Sequence, residues 1–221
     1  MEVDKKEVAN LEKGLQSKSV TKKVEALKKV IEMINSGKNL ISLFFPVMNC
    51  LELKNTELKK LVYLFLTNYS KDKPNEIMML VNSFIRDASD RSSPLLRAVA
   101  IRTMGNLGIP KLDPYFLDSI KKGLYDDSDY VRRISLASLE SISKTSPELI
   151  QKEEVCSLIM KLLRDDKNST ILLTAFVALY SRNSRIREAS SEPSAHLLLK
   201  LLKIIPETNG LIRRMAADRV I

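Results

Sequence analysis

TELKKLVYLFLTNYSKDKPNEIMMLVNSFIRDASDRSSPLLRAVAIRTMGNL, residues 56–107, is the stretch that decides the fold. Leu58, Leu61, Val62, Phe65, Leu66 and Tyr69 recur in steps of three, one, three, one and three, which gathers them on one face of an α-helix. That spacing predicts a helix over 56–69 with Thr56 as its N-cap. Pro74 suits the first turn of a second helix, over 74–87, because the amide proton it lacks has no partner there anyway. The stripe of this helix is Ile77, Leu80, Val81, Phe84 and Ile85. Ser93-Pro94, a cap residue followed by proline, opens a third helix over 94–107. Its residues Leu96, Val99, Ala100, Thr103, Met104 and Leu107 repeat the offsets of the Leu58 helix 38 positions later.

Looser copies of this unit lie on both sides. Upstream, residues 1–19 read as a short amphipathic lead helix (4–16, with Val8, Leu11 and Leu15) and a turn. A helix over 20–35 follows, with Val20, Val24, Leu27, Ile31 and Ile34 on one face, and Ser36-Gly37 ends it. Residues 40–52 read as a helix that Pro46 kinks or shifts. Downstream, helices are expected over 114–124, 129–142, 148–164, 169–182, 194–205 and 209–221. Val20, Leu58, Leu96, Val131 and Ile171, the first apolar anchors of alternate helices, stand 38, 38, 35 and 40 residues apart. A helix-turn-helix unit of that length is the signature of HEAT and armadillo repeats. One helix pair cannot bury both of its faces, so the units must stack. The expected fold is all-α: a right-handed solenoid of about six helix pairs. Its last unit lacks an evident polar cap, which points to a fragment of a longer chain.

The turns between units resemble one another. They read RDASDRSSPLLR (86–97), YDDSDYVRR (125–133) and RDDKNSTILL (164–173). Acidic and small polar residues precede each helix, where they cap free amides. Arg97, Arg132 and Arg133 follow early in the helices, within reach of those carboxylates.

Hydrophobic content of 44% and charged content of 29% describe a folded, soluble chain rather than a disordered one. No apolar run reaches the ~18 residues a spanning helix needs, and the N-terminus lacks the apolar core of a signal peptide. Cys50 and Cys156 sit in apolar helical patterns with no metal-binding spacing, as small buried hydrophobes in a reducing compartment do. Enzymatic signals are nearly absent. His196 has no evident nucleophile or carboxylate partner. Asp126, Asp127 and Asp129 lack the glycine and terminal glutamate of a calcium loop. Gly105-Asn106-Leu107-Gly108 is a helix exit without the features of a phosphate loop. No catalytic residue, metal or cofactor is expected.

The net charge of +9 favours polyanionic partners without choosing among them. Lys22, Lys23, Lys28 and Lys29 share the 20–35 helix, and Lys5, Lys6, Lys13 and Lys18 lie nearby. Lys59-Lys60 and Lys121-Lys122 form two further pairs. Each exposed lysine contributes about 1 kcal/mol near an anionic bilayer, so the cluster of four fits a membrane site. It fits a solvated helical face equally well. Aromatic residues do not interleave with these lysines, against the pattern of single-strand nucleic-acid binding.

ELKKLVYLFLTNYSKDKP (57–74), MLVNSFIRDASDRSSPLLRAVAIRTMG (79–105) and DDSDYVRR (126–133) together resemble the N-terminal trunk of the beta-adaptin large subunits of clathrin-associated adaptor complexes. EALKKVIEMINSGKNLISLF (25–44) and MNC (48–50) fit the same family. The resemblance is good from about residue 20 to 145 and thins beyond Asn168. There the family's usual Trp-Gly is missing and Thr208-Asn209-Gly210 stands in its place. Adaptor complexes 1 and 2 look nearest, with complex 4 a rival.

The resemblance implies that residues 1–221 are the N-terminal part of an adaptin trunk, a scaffold without catalysis. It implies medium and small adaptor chains and a second large adaptin as partners, and clathrin through regions outside this sequence. A phosphoinositide surface is implied at Lys22, Lys23, Lys28 and Lys29. An Arf-type GTPase is implied on the 74–87 helix, at Met78 and Val81. Met78 lies off the buried stripe and is the better contact; Val81 also fits the stripe. Such a protein is cytoplasmic and recruited to Golgi or endosomal membranes or coated pits. Nucleic acid is not expected. A nuclear-transport or nucleic-acid-binding helical-repeat protein is the alternative, but a transport solenoid calls for acidic inner faces and this chain is basic.

Overall fold

A computed structural model describes residues 4–150 and 153–180. The described residues form twelve α-helices linked by turns and short 3-10 segments, with no strand among them. The chain divides into two compact units, 1–119 and 120–221.

In the first unit α1 (Lys5–Gln16) packs on α2 (Val20–Asn35) through Leu11 and Leu15. The chain then makes a 3-10 turn, the short α3 (Phe44–Met48) and a second 3-10 turn over Asn49–Glu52. It continues into α4 (Thr56–Asn68), α5 (Pro74–Met78), α6 (Val81–Ala88) and α7 (Pro94–Asn106). The first helices of successive repeats stack directly, α2 on α4 and α4 on α7, while α6 packs on α7. This nearest-neighbour arrangement is what the 38-residue spacing requires. Leu58, Val62, Phe65 and Leu66 of α4 are fully buried, each contributing about 1.5–3 kcal/mol over an exposed position. Aromatic contacts carry the core across repeats. Phe44 meets Phe65 at 6.1 Å, Tyr63 meets Phe84 at 5.2 Å, and Phe84 meets Phe116 edge-on at 5.8 Å.

Two polar contacts fix the register between repeats. The Leu40 amide donates to the Tyr69 hydroxyl at 2.7 Å. The Ser70 hydroxyl donates to the Leu107 carbonyl at 2.8 Å, satisfying a helix-end acceptor. Helix α8 (Asp113–Gly123) runs across the boundary between the units. In the second unit α9 (Asp129–Thr145) packs on α10 (Pro147–Ile150) and on α12 (Ser169–Tyr180), which also contacts α11 (Glu153–Asp165).

Several expectations need correction. The cap of α4 is Asn55, not Thr56: its side chain accepts from the Leu58 amide at 2.8 Å, and Thr56 is the first helical residue. Residues 40–52 are not one helix. Pro46 sits near the start of α3, where its missing amide does no harm, and 3-10 turns flank that helix on both sides. The 74–87 helix is broken at Met79-Leu80, where the Leu80 amide donates to Ile77 at three-residue spacing. The buried face of α2 is also wider than the stripe predicted, taking in Ala26, Val30 and Met33, because α1 and α4 pack against it from different sides. The helices expected over 194–205 and 209–221, with His196, lie outside the described residues.

Candidate functional site

The four lysines expected at a phosphoinositide surface do not share one face of α2. At 100° per residue, Lys22 and Lys29 fall within about 20° of each other, while Lys23 and Lys28 point elsewhere. Lys23 turns inward. Its ammonium group donates to the Leu15 carbonyl in the last turn of α1, where a cation complements the free carbonyls, and lies 3.9 Å from Cys50 Sγ. Burial pushes the Cys50 thiol up, opposed by the nearby Lys23 charge, and Cys50 is a buried free cysteine as its sequence setting predicts. Lys28 pairs across to Glu57 of α4 at 2.7 Å, and that hydrogen bond raises its own pKa. Lys22 and Lys29 remain exposed, but Glu25 and Glu32 stand between and beyond them along one rim of a groove. Glu7, Asn10 and Gly14 of α1 also line that groove. The stripe therefore alternates in sign and sums to zero. KKVEALKKVIE (22–32) already contains those glutamates, and counting lysines alone overlooks them.

Lys59 is a larger correction. It is only 4% exposed, and its ammonium group bonds both oxygens of the equally buried Asp87 at 2.6 Å. The Tyr63 hydroxyl donates to the same carboxylate at 2.5 Å. Burial, then the Asp87 hydrogen bond, push the Tyr63 phenol far above its ordinary range. Lys59 belongs to the core and is unavailable to a polyanion.

The inter-repeat arginines act similarly. Arg132 donates from Nε to Asp166 at 2.7 Å and from Nη1 to the Asp126 and Asp127 carbonyls at 2.9 and 3.1 Å. It thus reaches the carboxylate of the following turn and the backbone of the preceding one. Arg97 donates to the Asp90 carbonyl at 2.8 Å, and Arg133 lies over the Tyr130 ring at 5.5 Å. Two aspartates of the 126–129 turn serve structure, one within the turn and one across to the next. Asp126 accepts from the Ser128 amide at 2.9 Å and Asp129 accepts from Asn168 at 2.9 Å.

On the 74–88 segment, Met78 is 46% exposed and its neighbour Met79 63%, whereas Val81 is half-buried. The break between α5 and α6 leaves two adjacent methionines turned outward. Met79 was missed although the sequence signals it: at 100° per residue an unbroken 74–87 helix already sets it nearly opposite the apolar stripe. Among the described residues of the first unit, Phe45 and Tyr115 are well-exposed aromatics. No helix among the described residues is long and apolar enough to cross a membrane.

Comparisons with known proteins agree with this architecture. The chain is 37% identical over 194 residues to the AP-1 complex subunit beta-1 of Mus musculus, covering 88% of this chain and 20% of that protein. It is 36% identical over 175 residues to the AP-1 complex subunit beta of Dictyostelium discoideum, covering 79% and 18%. To the AP-3 complex subunit beta-1 of Bos taurus it is 32% identical over 177 residues, covering 80% and 16%. The last is a subtype the sequence alone did not suggest. The chain spans about a fifth of the length of these relatives. In structure it resembles a designed armadillo repeat protein at a TM-score of 0.65 and 20% identity, covering 95% of this chain and 97% of that one. It also resembles a chain from a homology model of the full-length AP-3 complex in an intermediate open conformation. There the TM-score is 0.58 at 20% identity, covering 92% and 36%. Both likenesses bear on the fold, an armadillo-like α-solenoid. The family model described as the adaptin N terminal region matches residues 3–213, well past Asn168, beyond which the sequence resemblance thins. This chain therefore belongs to the adaptin N-terminal family.

Proposed function

We propose that residues 1–221 form the N-terminal part of an adaptin trunk that acts as a non-catalytic scaffold subunit of a vesicle-coat adaptor complex. The observation that carries this reading is the family match over 3–213, joined to beta subunits of adaptor complexes among the relatives. Stacked helix pairs present long, rigid surfaces suited to holding other subunits. The partners are medium and small adaptor chains and a second large adaptin. Clathrin engages through regions outside this sequence, and cargo is read chiefly by the other subunits. The protein works in the cytoplasm and is recruited to Golgi or endosomal membranes or coated pits.

An Arf-type GTPase docks on the α5–α6 segment. Met78 supplies an exposed, adaptable apolar contact and Met79 extends it, while Val81 supports the surface from beneath. An anionic membrane is met by the outward lysines Lys22 and Lys29, a smaller basic contact than four lysines would make. The test is recruitment by GTP-loaded Arf with wild type and Met78→Glu. Loss of recruitment with an unchanged helical spectrum is expected, and undiminished recruitment removes this segment from the site. Pelleting with phosphoinositide vesicles, run beside oligonucleotide binding, tests the class of partner. Binding to the oligonucleotide alone would favour a nucleic-acid role and overturn the scaffold reading.

A further inference from the structure

The alternating stripe on α2 has a property that neither a membrane nor a solvated face requires: it is complementary to its own reverse. Lys22, Glu25, Lys29 and Glu32 are all exposed and lie within an arc of about 80° at 100° per residue. No salt bridge within 4 Å joins any of them to another side chain among the described residues, although the Glu25 charge acts on nearby Lys28. Read from the N-terminus the signs run plus, minus, plus, minus. Read backwards they run minus, plus, minus, plus. An antiparallel second copy of α2 thus sets Lys22 opposite Glu32 and Glu25 opposite Lys29, about a two-fold axis that crosses the stripe level with position 27 along the helix. A two-fold interface demands this self-complementarity, in which one residue meets another and the reverse also holds. The stripe borders a groove of about 510 Å³ whose floor includes the apolar residues Leu11, Ala26 and Met33. At Gly14, which lines this groove, α1 crosses α2 so closely that an added Cβ would lie 2.8 Å from Ala26 Cβ.

We infer that the α1–α2 face is a contact between two copies of this chain, with the α2 helices antiparallel and their charge stripes paired. The contact uses neither Met78 nor the repeat-to-repeat stacking, but it competes with the membrane contact proposed above for Lys22 and Lys29, and the vesicle arm of the test below separates the two. Exposed ion pairs are individually weak and are screened by salt, so the association is a modest, salt-sensitive one. What the pattern supplies is orientation: a parallel pairing would set like charges opposite each other.

Sedimentation velocity on the full chain tests this, with helical content checked by circular dichroism for every variant. Wild type is expected to form a dimer at low salt that dissociates as salt rises. K22E/K29E makes the stripe wholly acidic and E25K/E32K makes it wholly basic. Each alone is expected to weaken self-association about tenfold or more, the scale set by four reversed surface pairs. The two variants mixed together are expected to form a heterodimer. The fourfold exchange K22E/E25K/K29E/E32K, which restores self-complementarity, is expected to dimerise as wild type does. A wild type that stays monomeric at low salt overturns the inference, as does a dimer that both double variants leave intact. Monomeric wild type that pellets with phosphoinositide vesicles, with E25K/E32K pelleting more strongly, would assign the stripe to lipid instead.

Discussion

Lys59 shows how far one residue can depart from its type. Lysines are almost never fully buried unless paired, and a lysine beside Leu58 reads as part of the solvated face. Its pairing with Asp87 could be traced only through register. Lys59, Arg97 and Arg132 each directly follow the first buried residue of their helices, Leu58, Leu96 and Val131. At that position a long cation reaches the turn of a neighbouring segment, as with Lys59–Asp87 and Arg132–Asp166. Removing one partner leaves the other charge buried and unmatched. Lys59→Met is therefore expected to lower the unfolding free energy by about 3–5 kcal/mol, and Lys59→Met with Asp87→Leu by clearly less. Urea denaturation of the two variants checks this.

Tyr63 adds a pH signature. Its phenol is held neutral in the folded state far above the ordinary value of about 10. Above that pH the unfolded chain loses the proton while the folded one keeps it, so this contribution to stability is complete below about pH 10 and declines as pH rises. Tyr63→Phe should be less stable than wild type at pH 8, by about 1.5–3 kcal/mol for a hydrogen bond to a charged group. It should also show a shallower loss between pH 10 and 11. Thermal melts across that range give both quantities.

At the level of elements, apolar spacing made α2, α4, α7 and α9 legible, because each buries a sustained face against its neighbours. Helix ends and breaks were less legible. Both Asn55 and Thr56 suit a cap chemically, and only the Asn55 side chain reaches the Leu58 amide. Asn55→Ala is expected to cost about 1 kcal/mol. Thr56→Ala should stay within about 0.5 kcal/mol. Chemical denaturation of both would distinguish the caps. The break at Met79-Leu80 carries no proline or glycine signal and leaves the periodicity of Ile77, Leu80 and Phe84 intact. At 100° per residue Met79 lies nearly opposite the apolar stripe, so its exposure was legible in the sequence along with that of Met78; what the pattern hid was the break itself. The basic surface misled for the opposite reason. Lysines were counted by their place in the sequence, whereas charge acts by face, and the faces hold Glu25, Glu32 and Glu57.

For the molecule as a whole, the repeat was legible because a solenoid's contacts join sequence neighbours. A spacing of 38 residues therefore maps directly onto the stacking of α2, α4 and α7. The proposed function rests on kinship rather than geometry: fully buried side chains such as Leu58 and Phe65 would serve any helical-repeat protein. The central claim is that this chain is an adaptor-complex scaffold. The measurement that tests it most directly is mass spectrometry of what co-purifies with the full-length protein from its own cells under gentle conditions. Medium and small adaptor chains together with a second large adaptin, in comparable amounts, are the predicted result. Recovery with nucleic acid or nuclear-transport cargo and none of those chains would contradict it.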